Sequence, residues 1–280
     1  MNITINGNPA DITLEKEQTL GELLSGIEDW LLGLGHTLSG LQVDGAVIGV
    51  DSVADAFQWD LEKIKTVAIK TSTHSELLAE ALFTAREALG TYGDALFDQQ
   101  NRLREQWKQS PAGVFLSEKA PELYDSMVKT LQGEGLSPQK MEYLIDERLR
   151  EVENPQKEIL SMGGAVTGIV QRLEDLPLDI QTGKDQQAAE TVALFSGIIE
   201  KLYRLISLLN QQGLLTDEVT VEDLSIQAFI EEFTAALKEL LAAYEVKDAV
   251  LVGDLAEYEL APRLLKLYSA LRSSVERAVS

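Results

Sequence analysis

The stretch Thr19-Leu-Gly-Glu-Leu-Leu-Ser-Gly-Ile27 decides how the first quarter of the chain folds. Its apolar residues recur at helical spacing, and its opening threonine forms a capping box with the glutamate three residues later. Two runs that alternate apolar and polar residues precede it, at 3–5 and 12–14, with a Gly7-Asn-Pro9 turn between them. Alternation on both sides of a turn is typical of a β-hairpin. We therefore predict a hairpin followed by a helix.

Three further strands are predicted after this helix. The glycines of Gly33-Leu-Gly35 end the helix, and Leu41-Gln-Val43 and Val47-Ile48 flank an Asp44-Gly45 turn. Residues 66–70 then alternate again in a last strand. The predicted order is β-β-α-β-β-β over residues 1–72.

These residues resemble the β-grasp, or ubiquitin-like, fold, and among its families the small sulfur-carrier proteins of thiamine and molybdopterin synthesis. The resemblance lies in Ile3-Thr-Ile-Asn-Gly7, in Thr19-Leu-Gly-Glu-Leu-Leu24 and in Val43-Asp-Gly-Ala-Val47. The carriers work through a free C-terminal diglycine. Here the last strand runs into Lys70-Thr-Ser-Thr-His74 and on into a helix, so the resemblance implies the fold and not the carrier chemistry.

Helical patterns fill the rest of the chain, which we predict to be a second domain over residues 75–280. The apolar spacing favours an antiparallel bundle of four to five long helices, so the fold class is α+β. A loop is predicted around 175–179 and Thr182-Gly183, and Pro262 is predicted to lie inside the last helix and to kink it. The segments 176–184 and 254–262 resemble parts of uncharacterised bacterial helical proteins.

Composition argues against several functions. The 280 residues carry 46 acidic and 24 basic side chains, a net charge of −22. Such a charge repels nucleic acid and anionic membranes. There is no cysteine, no apolar run of about 20 residues and no secretion-signal pattern at the start, so we expect a cytoplasmic protein that does not insert into membranes.

Recognisable catalytic and metal-binding motifs are missing from the sequence. The two histidines, His36 and His74, do not follow a glutamate by three residues on a bundle helix, which argues against a di-iron site. For Thr73-His74-Ser75 a helix cap is favoured over catalysis. The glycine-rich run 161–168 indicates close helix packing rather than phosphate binding. We expect no cofactor, no metal and no catalytic residue.

One local sequence is a candidate ligand site. On a helix, Asp254, Glu257 and Tyr258 occupy neighbouring positions of one face. Two carboxylates at this spacing support acid–base chemistry when partly buried, but an acidic stripe in solvent is the commoner arrangement. Both interpretations stay open at this point.

The absence of catalytic motifs favours a non-enzymatic interaction or scaffolding protein. In this hypothesis the β-grasp domain docks a protein partner, and the helical bundle is a spacer or a dimerisation element, so a homodimer is possible. The alternative is a small-ligand-binding protein or an enzyme with its site near Asp254, Glu257 and Tyr258.

Overall fold

The N-terminal strands form a five-stranded mixed sheet. The structure is a computed structural model that describes residues 1–13, 16–215 and 219–279. The strands are β1 (Asn2–Ile5), β2 (Asn8–Pro9), β3 (His36–Val43), β4 (Ala46–Val47) and β5 (Thr66–Thr73). They lie in the order β2-β1-β5-β3-β4, with β1 and β5 parallel and the other neighbours antiparallel. The predicted position of the second strand is wrong: β2 lies within the predicted turn, and Ile12 and Thr13 of the predicted range are not in a strand, while Leu14 lies outside the described residues. The turn forms earlier, at Asn6 and Gly7, which both have positive φ angles.

The helix α1 (Leu20–Gly33) follows β2 and supplies much of the apolar core of this region, and a short helix, α2 (Val50–Ala56), follows β4. The capping box is observed: the Thr19 hydroxyl accepts from the Glu22 backbone N–H at 3.3 Å, and the Glu22 carboxylate accepts from the Thr19 N–H at 3.2 Å. The helix buries Leu20, Leu23, Leu24, Ile27 and Leu31, and the sheet buries Ile3, Leu41, Val43, Val67 and Ile69. This arrangement is compatible with a β-grasp fold.

The turn between β3 and β4 is fixed by an aspartate. Asp44 and Gly45 have positive φ angles of 49° and 83°, as a tight hairpin turn requires. The Asp44 carboxylate accepts from the backbone N–H groups of Lys65 at 2.9 Å and Thr66 at 2.7 Å. The bond from Thr66 lowers the pKa of Asp44, since it stabilises the charged form. The side chain thus ties this turn to the start of β5.

Strand β5 passes directly into the helix α3 (His74–Asp94). The last strand residue, Thr73, caps the helix: its hydroxyl accepts from the Glu76 N–H at 3.2 Å, and the Glu76 carboxylate accepts from the Thr73 N–H at 2.8 Å. The predicted cap at this junction is confirmed. The end of β5 is therefore held inside a strand-to-helix junction.

The remainder of the chain is mostly helical. It contains α4 (Phe97–Gln109), α5 (Pro111–Lys119), α6 (Pro121–Leu131), α7 (Pro138–Glu153), α8 (Pro155–Ser161), α9 (Gly163–Gln181), α10 (Asp185–Gln211), α11 (Ile226–Glu245), α12 (Ala249–Asp254) and α13 (Ala261–Val279). The α+β class is confirmed, but the helices are shorter and more numerous than four or five. Proline explains much of this division, because it favours the first helical position and cannot continue a preceding helix. Four of these helices begin at one.

Two compact units make up the chain, residues 1–145 and 146–280, and the division falls within α7. The second unit has its own core, in which Phe195 packs edge-on to Phe233 and Phe229 stacks on Phe233. It also contains an unpredicted hairpin of β6 (Thr220–Val221) and β7 (Leu224–Ser225). Among the described residues, no helix is both long and apolar enough to cross a membrane.

Two prolines lie within helical segments of the second unit. The first part of the predicted loop, 175–179, is wrong, because α9 continues through Pro177. The second part is confirmed, since Thr182 and Gly183 form the turn between α9 and α10. Gly253 of α12 leaves room for this proline, since a Cβ there would lie 3.0 Å from the proline Cγ. Before Pro262 the helix widens into a π-helical segment, Leu255–Leu260, and then continues as α13. Proline has no backbone N–H to donate within a helix, and the wider π turn accommodates this missing hydrogen bond.

The glycine-rich run 161–168 is only partly explained by close packing. A Cβ on Gly163 would lie 3.1 Å from the Tyr268 hydroxyl of α13, so close approach is confirmed at this position. Gly164 and Gly168 would meet nothing within 4 Å, and nothing in the structure requires glycine there.

Two glycines of the first unit should respond to alanine in opposite directions. A Cβ at Gly113, in the first turn of α5, would clash with the carbonyl oxygen of Trp107, which is backbone and cannot move aside cheaply. Gly90, inside α3, has open space around it. We expect Gly113→Ala to lower the free energy of unfolding by about 2 kcal/mol or more. Gly90→Ala should raise it by up to about 1 kcal/mol. Urea unfolding measures both, and equal effects would contradict the geometry.

Candidate functional site

An apolar cleft lies in the first unit, between α1 and the segment that follows β1. Its volume is about 610 Å³. It is lined by Ile5, Asn8, Pro9, Ala10, Asp11, Ile12, Thr13, Glu17, Leu23, Gly26, Ile27 and Trp30. The side chains of Leu23 and Ile27 also belong to the core beneath. The cleft is therefore continuous with the hydrophobic core and open to solvent.

Trp30 lines this cleft, and it is more exposed than its place in the helical pattern indicates. Its helical spacing groups it with Ile27 and Leu31, which are buried, but Trp30 is 56% exposed. An exposed tryptophan beside an apolar cleft is a common anchor of protein–protein interfaces.

Electrostatics favour a cationic ligand for this cleft. The charged residues that line it are Asp11 and Glu17, both acidic. Residues 1–72 carry 11 acidic side chains against 4 lysines, a net charge of −7. The cleft combines an apolar floor with an acidic edge.

A second candidate is a buried ion-pair network in the second unit, centred on Glu151 of α7. This carboxylate is 1% exposed and accepts two hydrogen bonds from Arg204 of α10, from Nε at 2.9 Å and from Nη2 at 3.0 Å. Arg148, one turn earlier on α7, donates to the same carboxylate at 3.2 and 3.3 Å. The two N–H donors of Arg204 thus bind the two carboxylate oxygens of Glu151, which compensates for the burial of its charge.

Lys201 extends the network to two further carboxylates. Its Nζ donates to Glu147 of α7 and to Glu158 of α8, both at 2.8 Å, and lies 3.9 Å from Glu151. The ammonium group occupies the position between the carboxylates that a bound cation would take. The network therefore joins α7, α8 and α10 with the chain's own charges.

The protonation of this network is unusual. Burial raises the pKa of Glu151 to about 7, although Arg148 and Lys201 act to lower it. For Lys201, burial acts to lower the pKa, but the hydrogen bonds to Glu147 and Glu158 outweigh burial and raise it. The sequence pattern does not indicate these residues, because their charges occur in helices rich in charged side chains, where solvent exposure is the usual outcome.

The predicted site residues Asp254, Glu257 and Tyr258 lie together but are all exposed. Asp254 ends α12, and the other two are in the π-helical segment, where Tyr258 is 68% exposed. A hydrogen bond with Glu257 raises the pKa of Tyr258, and the Glu257 charge acts in the same direction. The three residues form an acidic surface, and a ligand site there stays a prediction.

Comparison with known proteins identifies two regions of similarity. Residues 1–73 match the family described as the TP0873 N-terminal domain, and the match ends at the last residue of β5. Residues 159–270 match a domain of unknown function, DUF8042. The first match contains the apolar cleft. The second contains Lys201 and Arg204 but stops short of the glutamates that they bind.

A relative in Treponema pallidum (strain Nichols) is also similar. It is named only as an uncharacterized protein, and it is 31% identical over 90 residues. The alignment covers 32% of this chain and 44% of the relative, so this chain spans less than half of the relative's length. No solved structure matches the chain.

Glu151 should make stability depend on pH. Its pKa of about 7 in the folded protein exceeds the ordinary value of 4.5, so between these pH values only the folded state holds this proton. The stabilisation is fully present below about pH 4.5 and is lost as the pH rises through about 7, a change of up to roughly 3 kcal/mol. The Glu151→Gln variant has no group that titrates at this position. The difference between its free energy of unfolding and that of the parent should therefore rise as the pH increases from about 4.5 to about 7.

Urea unfolding at a series of pH values measures this difference. Glu153→Gln is the matched control, because Glu153 is exposed on the same helix. A difference between Glu151→Gln and the parent that is constant from about pH 5 to pH 8 would contradict the assignment.

Lys201 should contribute more to stability than an exposed lysine. Lys201→Met leaves the carboxylates of Glu147 and Glu158 without their shared partner, so we expect a loss on the order of 3 kcal/mol. Lys247→Met removes an ion pair with Asp185 in which both side chains are about two-thirds exposed, and should cost less than about 1 kcal/mol. Losses of equal size in chemical unfolding would contradict the larger contribution assigned to Lys201.

Proposed function

We propose that the first unit contains a β-grasp domain that docks a protein partner, and that the chain is an interaction or scaffolding protein rather than an enzyme. The observation that carries this proposal is the apolar cleft of about 610 Å³ beside α1, with Trp30 exposed next to it. Clefts with an aromatic anchor and few polar groups bind side chains of partner proteins.

The arrangement of the sheet supports the β-grasp part of the proposal. The strand order β2-β1-β5-β3-β4, with β1 parallel to β5 and α1 after the first hairpin, is compatible with a β-grasp topology. Thr73 closes β5 into α3, so this domain has no free diglycine end for carrier chemistry. Docking through a surface needs no free chain end, so it is the role assigned to this domain.

The partner that fits this cleft is a positively charged segment. A large apolar side chain of the partner would pack against Trp30 over the floor formed by Leu23 and Ile27. Basic residues on either side of it would face Asp11 and Glu17. Electrostatic attraction would speed association and would weaken as salt is added.

The helical remainder would then hold the docking domain in place and act as a spacer or dimerisation element. A homodimer and a cytoplasmic location belong to the same proposal. The competing proposal, a ligand site at Asp254, Glu257 and Tyr258, receives less support because these side chains lie on an open surface.

Selection of peptides from a displayed random library against the full chain tests the docking proposal. We expect selected peptides to be net basic with an aromatic or branched apolar residue. Trp30→Ala should weaken the binding of a selected peptide by about 30-fold or more, as is typical of an interface anchor. Fluorescence anisotropy at low and high salt measures the dissociation constants.

Trp59→Ala provides the control. Trp59 is 41% exposed in the same unit but lies outside the cleft lining, so its loss should change the dissociation constant less than about threefold. Selected peptides of net negative charge, or equal effects of the two substitutions, would overturn the proposal.

A further inference from the structure

The edge of the five-stranded sheet beside the apolar cleft is open. Strand β2 is the outermost strand of the sheet and pairs with β1 on its inner side. The chain then continues through residues 10–13, which belong to no strand but line the cleft. Burial alternates along them, because Ala10 and Ile12 are half-buried against the core while Asp11 and Thr13 are exposed. This alternation is the pattern of an extended segment at the margin of a sheet.

The backbone of this segment is bonded on one side and open on the other. The Ala10 N–H donates to the Ile3 carbonyl of β1 at 2.9 Å. Because the backbone groups of successive residues in an extended chain point to opposite sides, those of Pro9 and Asp11 face away from β1. Within the described part of the chain, the N–H groups of Asp11 and Thr13 make no backbone hydrogen bond. The outer side therefore presents unpaired backbone groups next to the cleft.

The charge of this edge indicates what can pair with it. Edge strands of native proteins commonly carry proline or charge, which prevents pairing with further copies of the same chain. Pro9 and Asp11 supply both here. A second copy would also bring like charges together, since residues 1–72 have a net charge of −7. A basic strand would instead meet opposite charges at Asp11 and Glu17, so the edge favours a basic partner over self-association.

We propose that the partner segment at the cleft binds in extended form, as a strand added to the outer edge of β2 and residues 10–13. Main-chain hydrogen bonds to such an edge give affinity, and alternate side chains give specificity. Every second side chain of the added strand points toward α1, where an apolar group packs against Leu23, Ile27 and Trp30. The intervening side chains lie on the side of Asp11, where basic residues fit. This inference rests on the docking proposal and adds main-chain pairing to it.

Amide hydrogen exchange tests the pairing from the side of the chain. The probe is a synthetic copy of a short basic peptide selected on the full chain from a displayed library. The Asp11 N–H makes no backbone hydrogen bond among the described residues, and saturation with the peptide should slow its exchange by about tenfold or more. The Gly135 N–H, in the turn between α6 and α7, is the matched control. It also makes no such bond and lies outside the cleft, so its exchange should not change.

Methylation of the peptide's backbone nitrogens tests the pairing from the other side. An added strand faces the sheet with alternate residues. N-methylation at every second position should therefore weaken binding by about threefold or more, and at the intervening positions by less than about twofold. Fluorescence anisotropy measures the dissociation constants.

The outcomes separate this inference from the docking proposal. A peptide that binds the chain, and binds Trp30→Ala more weakly, without slowing the Asp11 exchange would overturn the added strand and leave the docking cleft in place. Effects of N-methylation without a two-residue period would have the same meaning. If no basic peptide binds the folded chain, both proposals fail.

Discussion

The double role of Thr73 constrains the whole first unit. It is the last residue of β5, the strand that pairs with both β1 and β3, and it is also the cap of α3. The sheet and the first long helix are therefore joined with no linker residue. The next residue, His74, packs against Phe115 of α5 with ring centroids 5.7 Å apart. The position of the sheet therefore directly constrains the positions of α3 and α5.

The second unit is held by a different kind of constraint. Its phenylalanine and leucine core is non-directional, whereas the network around Glu151 fixes which turns of α7, α8 and α10 face one another. Buried ion pairs contribute little net stability, because desolvation offsets their attraction. Their value here is specificity of helix packing, since an incorrect register would leave charges buried without partners. The contact between Pro177 and Gly253 serves the same end at the crossing of α9 and α12.

Much of the fold could be predicted because its signals are local. The capping box at Thr19, the helix cap at Thr73 and the Asp44-Gly45 turn depend on residues close in sequence, and all three are observed. Pro177 was misjudged because its tolerance inside a helix depends on Gly253, which lies 76 positions away in the sequence. The same holds for the candidate sites. The exposure of Trp30 and the burial of Glu151 are set by what packs around them, which a helical period does not encode.

The π-helical segment before Pro262 also has a consequence for the surface of the last helix. A π turn holds one residue more than an α turn, and each residue advances the helix by about 100°. The apolar stripe of α13, which includes Leu264, Leu267 and Leu271, is thus out of phase with the stripe upstream of the turn. The extra residue in the π turn offsets this difference, so that the apolar stripes on both sides of the turn face the same core. Insertion or deletion of a single residue next to the π turn would change the angle between the two stripes and turn one of them away from the core.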